Sequence, residues 1–306
     1  MSSLETEVFP FDEAGIVRAA ELVLAGQPVA VPTETVYGLA ADATNPEAVA
    51  RIYAAKGRPG FNPLIVHVAD LAAAETLGVF DGEARALAEA HWPGPLTIVV
   101  PARPDNGIAA LVTAGLGTIG IRVPAHLAMQ ALLAATGRPL AAPSANASGR
   151  ISPTRAAHVL FSLDGRIALV IDGGATLRGI ESTIVAATGG GLRLLRLGPI
   201  DIDAPLASGG IEAPGMMASH YAPSKQLRLN ATEARAGEFL IGFGDVAGDA
   251  SLSENGDLIE AAGRLFDLLH QADAAPHPRI AVAPIPGTGI AAAIRDRLDR
   301  AAAPRA

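Results

Sequence analysis

The chain has 306 residues, half of them apolar but only 4% aromatic, with 23 Lys and Arg against 31 Asp and Glu for a formal charge of −8. The acidic balance disfavours tight nucleic-acid binding by the whole chain, and the absence of cysteine removes disulfides, thiolate metal sites and cysteine nucleophiles together. No uncharged apolar run reaches the roughly 18 residues a membrane span needs, and residues 1–10, with Glu5 and Glu7, lack a basic-then-apolar leader, so a cytoplasmic protein of two domains is expected.

Residues 12–26 place Ile16, Ala19, Ala20, Val23 and Leu24 at helical spacing, with Gly26 as a stop. Val29-Ala30-Val31-Pro32 reads as a short buried strand. Asn45-Pro46 opens a second helix, the asparagine capping it and the proline in its first turn, running to about Ala55. Strands are expected at 64–68, 96–100, 118–123, 140–142, 168–171, 182–185 and 192–196, and a helix at 81–91. Strands and helices interleave, which predicts one α/β catalytic domain on a twisted mixed sheet over residues 9–200. Pro205, Gly209, Gly210, Pro214, Gly215 and Pro223 then break regular structure, marking residues 201–225 as a linker. Beyond it, strands at 226–229, 239–243 and 279–282 alternate with helices at 258–272 and 289–302, a small Rossmann-like α/β domain over 226–306.

Two polar tripeptides 88 residues apart hold most of the chemistry: Lys56-Gly57-Arg58, followed by Pro59 and Asn62-Pro63-Leu64, and Ser144-Ala145-Asn146, between Pro143 and Ser148-Gly149. Each alternates a polar side chain with a small spacer, so both polar groups are expected to point the same way. Two cations facing a hydroxyl and an amide suit a phosphate-bearing site. Lys56 and Arg58 can neutralise phosphate oxygens, and Ser144 and Asn146 can donate hydrogen bonds. Gly115-Leu116-Gly117-Thr118-Ile119-Gly120 matches a dinucleotide-binding string but leads into a strand, not a helix, so that reading fails on context. On that strand Thr118 and Arg122 share a side, and Arg122, between Ile121 and Val123, can hold a carboxylate bidentately or stand as a solvated edge arginine. Pro32-Thr33-Glu34-Thr35-Val36-Tyr37-Gly38-Leu39 follows a buried strand, either as a run of ligand contacts or as a turn whose Thr and Glu cap the next element. His67 inside Leu64-Ile65-Val66-His67-Val68 is open to a core or a site reading. Glu181-Ser182-Thr183 opens a strand in the same manner. Ser144 has no patterned histidine base, and no Walker loop or clustered metal ligands stand in the chain.

Together the 32–39 string, Lys56-Gly57-Arg58-Pro59, the 62–67 string and Pro143-Ser144-Ala145-Asn146 resemble the YrdC family. His220-Tyr221-Ala222-Pro223 and the second domain resemble its longer, two-domain threonylcarbamoyl-AMP synthase branch. The resemblance implies condensation of L-threonine, bicarbonate and ATP, accompanied by Mg2+, to threonylcarbamoyl-AMP and pyrophosphate. The product would pass to the tRNA threonylcarbamoyl-transfer machinery, with at most weak tRNA contact by this chain. It implies Lys56, Arg58, Ser144 and Asn146 as the signature set around the phosphates. It further implies Arg58, Asn62, Thr118, Ser144, Ser152, Arg196 and Tyr221 as ATP contacts, and Thr35, His67, Arg122, Ser182 and the backbone at Ala142 as threonine contacts. The segment from Pro214 to Pro223 would act as a lid over a labile carbamate. Two features depart from the pattern: Met217, Ala218 and Ser219 stand where many relatives are basic, and the second domain is short. The rivals are a carbamoyl-adenylate-forming module, disfavoured by the missing cysteines, and a non-enzymatic double-stranded RNA-binding protein, disfavoured by the charge.

Overall fold

The computed structural model describes residues 5–207, 210, 212–215 and 219–304. The first part of the chain runs β1 (Glu7–Pro10), α1 (Glu13–Leu24), β2 (Val29–Pro32), β3 (Tyr37–Asp42), α2 (Pro46–Lys56), β4 (Ile65–His67), α3 (Leu71–Leu77), α4 (Gly82–His91), β5 (Leu96–Pro101), α5 (Ala110–Thr113), β6 (Thr118–Arg122), α6 (Leu127–Thr136), β7 (Leu140–Ala141), α7 (Ala156–Leu163), β8 (Leu169–Asp172), β9 (Thr183–Ala187) and β10 (Leu192–Arg196). After the linker come β11 (Gln226–Arg228), β12 (Glu238–Gly242), β13 (Ala250–Ser251), α8 (Leu258–Ala274), β14 (Arg279–Val282) and α9 (Ile290–Ala302). Among the described residues no helix is long and apolar enough to cross a membrane.

Strands β1 to β10 form one mixed sheet in the order β1-β8-β2-β3-β7-β4-β6-β5-β9-β10, and β11 to β14 form a second, all-parallel sheet in the order β11-β14-β12-β13. The expected α/β class, with a mixed sheet followed by a smaller Rossmann-like unit, is what is found. The sequence signals pick out none of β1, β3, α3, α5, α6, α7 and β13, and they give the residues after Pro32 as a turn or contact run. Part of that run, Tyr37–Asp42, is a fully buried strand pairing antiparallel with β2.

Strand alternation sends Leu64, Val66 and Val68 into the main core beneath α2, α3, α4 and α7, and turns Ile65 and His67 to the opposite face. On that opposite face, α1 and α6 cover one half of the sheet with a core of Ala19, Val23, Met129, Leu132 and Leu169. The other half, around Ile65, Val99, Ile184 and Leu195, is covered by Ala207 and Ala213 of the linker instead of a helix. The uncovered strip between the two halves is where the cavity lies.

The second domain is not a free appendage. Its core takes in Val36, Ile151 and Ile180 from the first domain and Tyr221 from the linker. At Gly179, which has φ of +67°, an added Cβ would stand 2.4 Å from the carbonyl oxygens of both Ala262 and Gly263 in α8, so only glycine allows this approach.

Candidate functional site

The expectation that Lys56 and Arg58 point the same way gives way to a division of labour, and the local backbone explains it. Asn45 caps α2 by accepting from the Glu47 and Ala48 amides, Lys56 is its last residue, and Gly57 ends it in the left-handed region at φ 59°. The helix end therefore leaves Lys56 turned to the Ser144–Asn146 loop, while Arg58, beyond the glycine, lines the cavity. The Lys56 ammonium donates to the Ser144 carbonyl at 2.6 Å and to the Asn146 carbonyl. The backbone completes the join, with the Ser148 amide donating to the Lys56 carbonyl at 2.8 Å. The two distant tripeptides thus meet, but Lys56 is spent on shaping the second loop and is absent from the cavity wall. Burial, and after it the neighbouring Arg58, push its pKa well below the usual lysine value.

Arg58 does line the cavity, its Nε donating to the Asn62 carbonyl (3.1 Å) and Nη2 to the Pro63 carbonyl (2.8 Å); burial lowers its pKa to about 10. Ser144 lines it as well. Asn146 uses its amide to tie the loop, donating 2.9 Å bonds to the Ala147 and Arg150 carbonyls, while its buried Oδ1 finds no protein partner.

The cavity walls draw Gly38, His67, Arg122 and Ala142 from the sheet region, Thr35 and Ser182 from loops, Arg196 from the end of β10, and Gly215, His220 and Tyr221 from the linker. Five residues expected at the site stand off this wall: Lys56, Asn146, Asn62, Ser152 and Thr118. Ser152 is fully buried and donates to Glu181 Oε1 at 2.5 Å, and Thr118 borders an adjoining recess with Pro63, Thr97 and Pro214.

At one end, Arg122 is held from three directions. Nε donates to the Gly94 carbonyl (3.1 Å), Nη1 to Thr35 Oγ1 (3.0 Å), and Nη2 pairs with Glu34 Oε1 at 2.6 Å. Thr35 is fixed in turn by Thr33 Oγ1 at 2.8 Å. The reading of Arg122 as a solvated edge residue is therefore set aside: the guanidinium is buried and already has a carboxylate. Burial would raise the Glu34 pKa, but the Arg122 charge and hydrogen bond outweigh it and hold Glu34 below the usual range. Burial and then Arg122 lower His67 to about 3, leaving a neutral imidazole whose buried Nδ1 has no protein partner.

At the other end, Arg196 donates from Nη2 to Ser182 Oγ (3.0 Å) and from Nε to the Ser182 carbonyl (2.9 Å); Thr97 Oγ1 lies 2.8 Å from the same hydroxyl. Tyr221 is buried in a left-handed conformation (φ 62°), and its hydroxyl, like His220 Nδ1, is without a protein partner. Burial first, then Arg58, Lys56, Arg196 and Arg297, pull the His220 pKa far down. A Cβ on Gly215 would stand 2.9 Å from both Arg196 Cδ and the Tyr221 hydroxyl, so the linker closes on the arginine through a glycine. The lid segment expected from Pro214 to Pro223 contributes these contacts; Met217 and Ala218, noted as departures, lie outside the described residues.

Buried polar atoms without partners are rare in folded proteins. Here three of them, on His67, His220 and Tyr221, belong to residues lining one hollow with three arginines, an arrangement suited to an anionic, hydrogen-bonding ligand.

A family model described as telomere recombination matches residues 21–198, and one described as threonylcarbamoyl-AMP synthase, C-terminal domain, matches 176–303. The threonylcarbamoyl-AMP synthase of Bacillus subtilis (strain 168) is 39% identical over 334 aligned residues, 98% of this chain and 96% of that protein. The chain belongs to the YrdC/Sua5 family. The structure of Pyrococcus abyssi Sua5 complexed with L-threonine superposes with a TM-score of 0.85 at 34% identity, covering 97% of both chains. A doubly substituted variant of the same archaeal protein reaches 0.88 at 32% identity, covering 97% of this chain and 96% of that one.

Sequence reasoning missed four residues that build this member's site. Glu34 and His220 stood inside strings already quoted, and Glu181 beside Ser182. Arg297 carried a fainter signal: at i and i±4 it shares a helix face with the buried Ala293 and Ala301, where a charge is out of place.

Proposed function

We propose that the chain is a threonylcarbamoyl-AMP synthase that condenses L-threonine, bicarbonate and ATP. The observation that carries this is the single cavity in which Arg122 stands at one end and Arg58 and Arg196 at the other. Threonine's carboxylate goes to Arg122 and Thr35, with His67 and Ser182 and the backbone at Ala142 around the rest of the amino acid. His67, neutral at any physiological pH, can donate or accept a hydrogen bond without adding charge. The free amine of threonine attacks the carbon of bicarbonate, water leaves, and a carbamate forms. A carbamate oxygen then attacks the α-phosphorus of ATP, the bond from that phosphorus to the α,β-bridging oxygen breaks, and pyrophosphate leaves with the bridging oxygen.

Charge on the phosphates is met by Arg58 and Arg196, with the Ser144 hydroxyl donating beside them and Tyr221 reaching over the nucleotide. Lys56 and Asn146 act one step back, by fixing the Ser144 loop. Ser152 supports Glu181. The carboxylates nearest the cavity, Glu34 and Glu181, are each committed to an arginine, at 2.6 Å from Arg122 and 3.0 Å from Arg297. Mg2+ is therefore assigned to the substrate, arriving on the triphosphate, and no step is given to a protein-held ion. The cytoplasm and the tRNA threonylcarbamoyl-transfer machinery are the setting this activity implies.

Pyrophosphate release measured with each substrate omitted in turn tests the reading. Release should require L-threonine, bicarbonate and ATP together. Equal release with serine, or with no amino acid, contradicts it.

A further inference from the structure

Arginine is almost never fully buried without a reason, and Arg297 of α9 has no exposed surface at all. We propose that Arg297 is a positioning residue through which the second domain sets the nucleotide end of the cavity, an inference that rests on the synthase reading above.

One guanidinium holds three separate pieces of the cavity's surroundings. Nε pairs with Glu181 Oε2 at 3.0 Å, and Glu181 lines the cavity next to Ser182. The other Glu181 oxygen accepts from Ser152 Oγ at 2.5 Å. Nη2 donates to the Leu197 carbonyl at 2.8 Å, gripping the backbone directly after Arg196. The carbon at the centre of the guanidinium lies 5.4 Å from the Tyr221 ring centroid, and that ring also stacks at 5.5 Å on Phe266 of α8. Nη1 is anchored within its own domain by Asp296 Oδ2 at 2.8 Å, and Asp296 is held in turn by Arg300 at 2.9 Å. Arg297 itself is not part of the cavity wall. It acts only through Glu181, the Arg196 backbone and Tyr221.

Burying such a charge costs free energy that an apolar side chain of similar volume avoids. A residue needed only to glue two domains together would not require it. What a fork of five fixed donors adds is geometry: it sets three wall elements relative to one another, which a lysine's single ammonium cannot do. Burial alone would lower the Arg297 pKa, but Tyr221, Glu181 and Asp296 together raise it, so it stays a cation throughout.

The test uses the full chain with Arg297→Lys, Arg297→Met, Glu181→Gln and the Met/Gln double variant, each checked for a cooperative thermal transition. Arg297→Lys should raise KM for ATP at least tenfold while kcat and KM for L-threonine change less than threefold. In the cycle, Arg297→Met and Glu181→Gln should be non-additive in kcat/KM for ATP, the double variant being no worse than the worse single one. Unchanged KM for ATP in folded Arg297→Lys, or losses that multiply, would overturn the proposal. Should the Arg297 variants not fold, Glu181→Gln approaches the same contact from the first domain, and an unchanged KM for ATP there overturns it equally. If the wild-type chain releases no threonine-dependent pyrophosphate, the synthase reading falls on its own; calorimetric titration of ATP into the same variants then decides the positioning role, an unchanged Kd rejecting it.

Discussion

At one end of the cavity, Arg122 and His67 stand on paired inner strands of the large sheet, and every donor of Arg122 that faces the first domain meets a group of that same domain. At the other end, Arg58 follows a helix terminus, Arg196 closes an edge strand at a register irregularity, and His220 and Tyr221 come from a linker braced by α8 and α9. The first end is finished by the fold of one domain. The second is finished only when the linker and the second domain are in place. The contrast matches the chemistry proposed for each: a small, rigid amino acid can be met by a preformed pocket, whereas a flexible triphosphate and a water-sensitive carbamate call for a cover that can come and go.

Arg58 and Arg196 both line the cavity with no acidic partner among the described residues, and the largest effect should come from Arg58, whose bonds are to nearby carbonyls alone. Arg58→Ala is expected to lower kcat by about 10²–10³-fold, the usual cost of removing one preorganised donor to developing charge. Circular dichroism should remain native, because its two bonds to carbonyls are local to residues 58–63. Lys56→Ala should also lose activity, but with a disturbed Ser144 loop, seen as lowered stability. If Lys56→Ala were inactive with unaltered stability and Arg58→Ala only mildly impaired, the division of labour between them would be reversed.

At the preformed end the expected damage is structural. Glu34→Gln leaves the buried Arg122 charge without its partner and should lower unfolding free energy by about 3 kcal/mol in chemical denaturation. It should also change KM for L-threonine, since Arg122 then meets the substrate carboxylate without competition. A variant as stable as the wild type would mean that Arg122 is adequately held by Gly94 and Thr35 alone.

Less is expected from Tyr221→Phe. The hydroxyl has no protein partner, so stability should not change, while KM for ATP rises by up to roughly tenfold, the value of one hydrogen bond to a charged group. An unchanged KM would place the hydroxyl outside the nucleotide site.

The boundary between the domains should also respond to acid. His158 of α7 and His270 of α8 stack at 3.9 Å, His158 Nε2 lies 3.4 Å from Asp267, and His270 Nε2 meets the Ser152 carbonyl at 3.2 Å. Burial brings both to about 4, against about 6.5 for a free histidine. Between those values the unfolded chain binds more protons than the folded one. Stability from these groups is therefore complete above about pH 6.5 and declines as pH falls towards 4. Melting temperature followed across that range should show the decline, and replacing both histidines with asparagine should make it shallower, with the buried His67 and His220 supplying a remaining part.

Much of the architecture could be read from the chain because its signals are local. Asn45-Pro46 and Gly57 bracket α2, and the 64–68 run is a strand bounded by turns. The elements overlooked are those whose residues carry weak signals. Gly38 and three alanine or aspartate positions make β3 a poor strand by composition, yet it is wholly buried between β2 and β7. Likewise α6 is apolar nearly all round and so shows no amphipathic stripe. At the site, residue types were legible, but which of them face the cavity was not. Lys56 and Arg58 differ in direction because of a helix end that falls one residue later than expected. The Glu34–Arg122 and Glu181–Arg297 pairs join positions 88 and 116 residues apart, distances over which spacing carries no information.

A crystal structure of the protein with L-threonine and a non-hydrolysable ATP analogue would test the shared cavity most directly. The account requires the amino-acid carboxylate at Arg122 and the phosphates within hydrogen-bonding distance of Arg58 and Arg196, with Tyr221 closed over the nucleotide. A nucleotide seated elsewhere, for example in the hollow that His158 and Phe161 of α7 form with Asp267 and His270 of α8, with the cavity holding threonine alone, would contradict it.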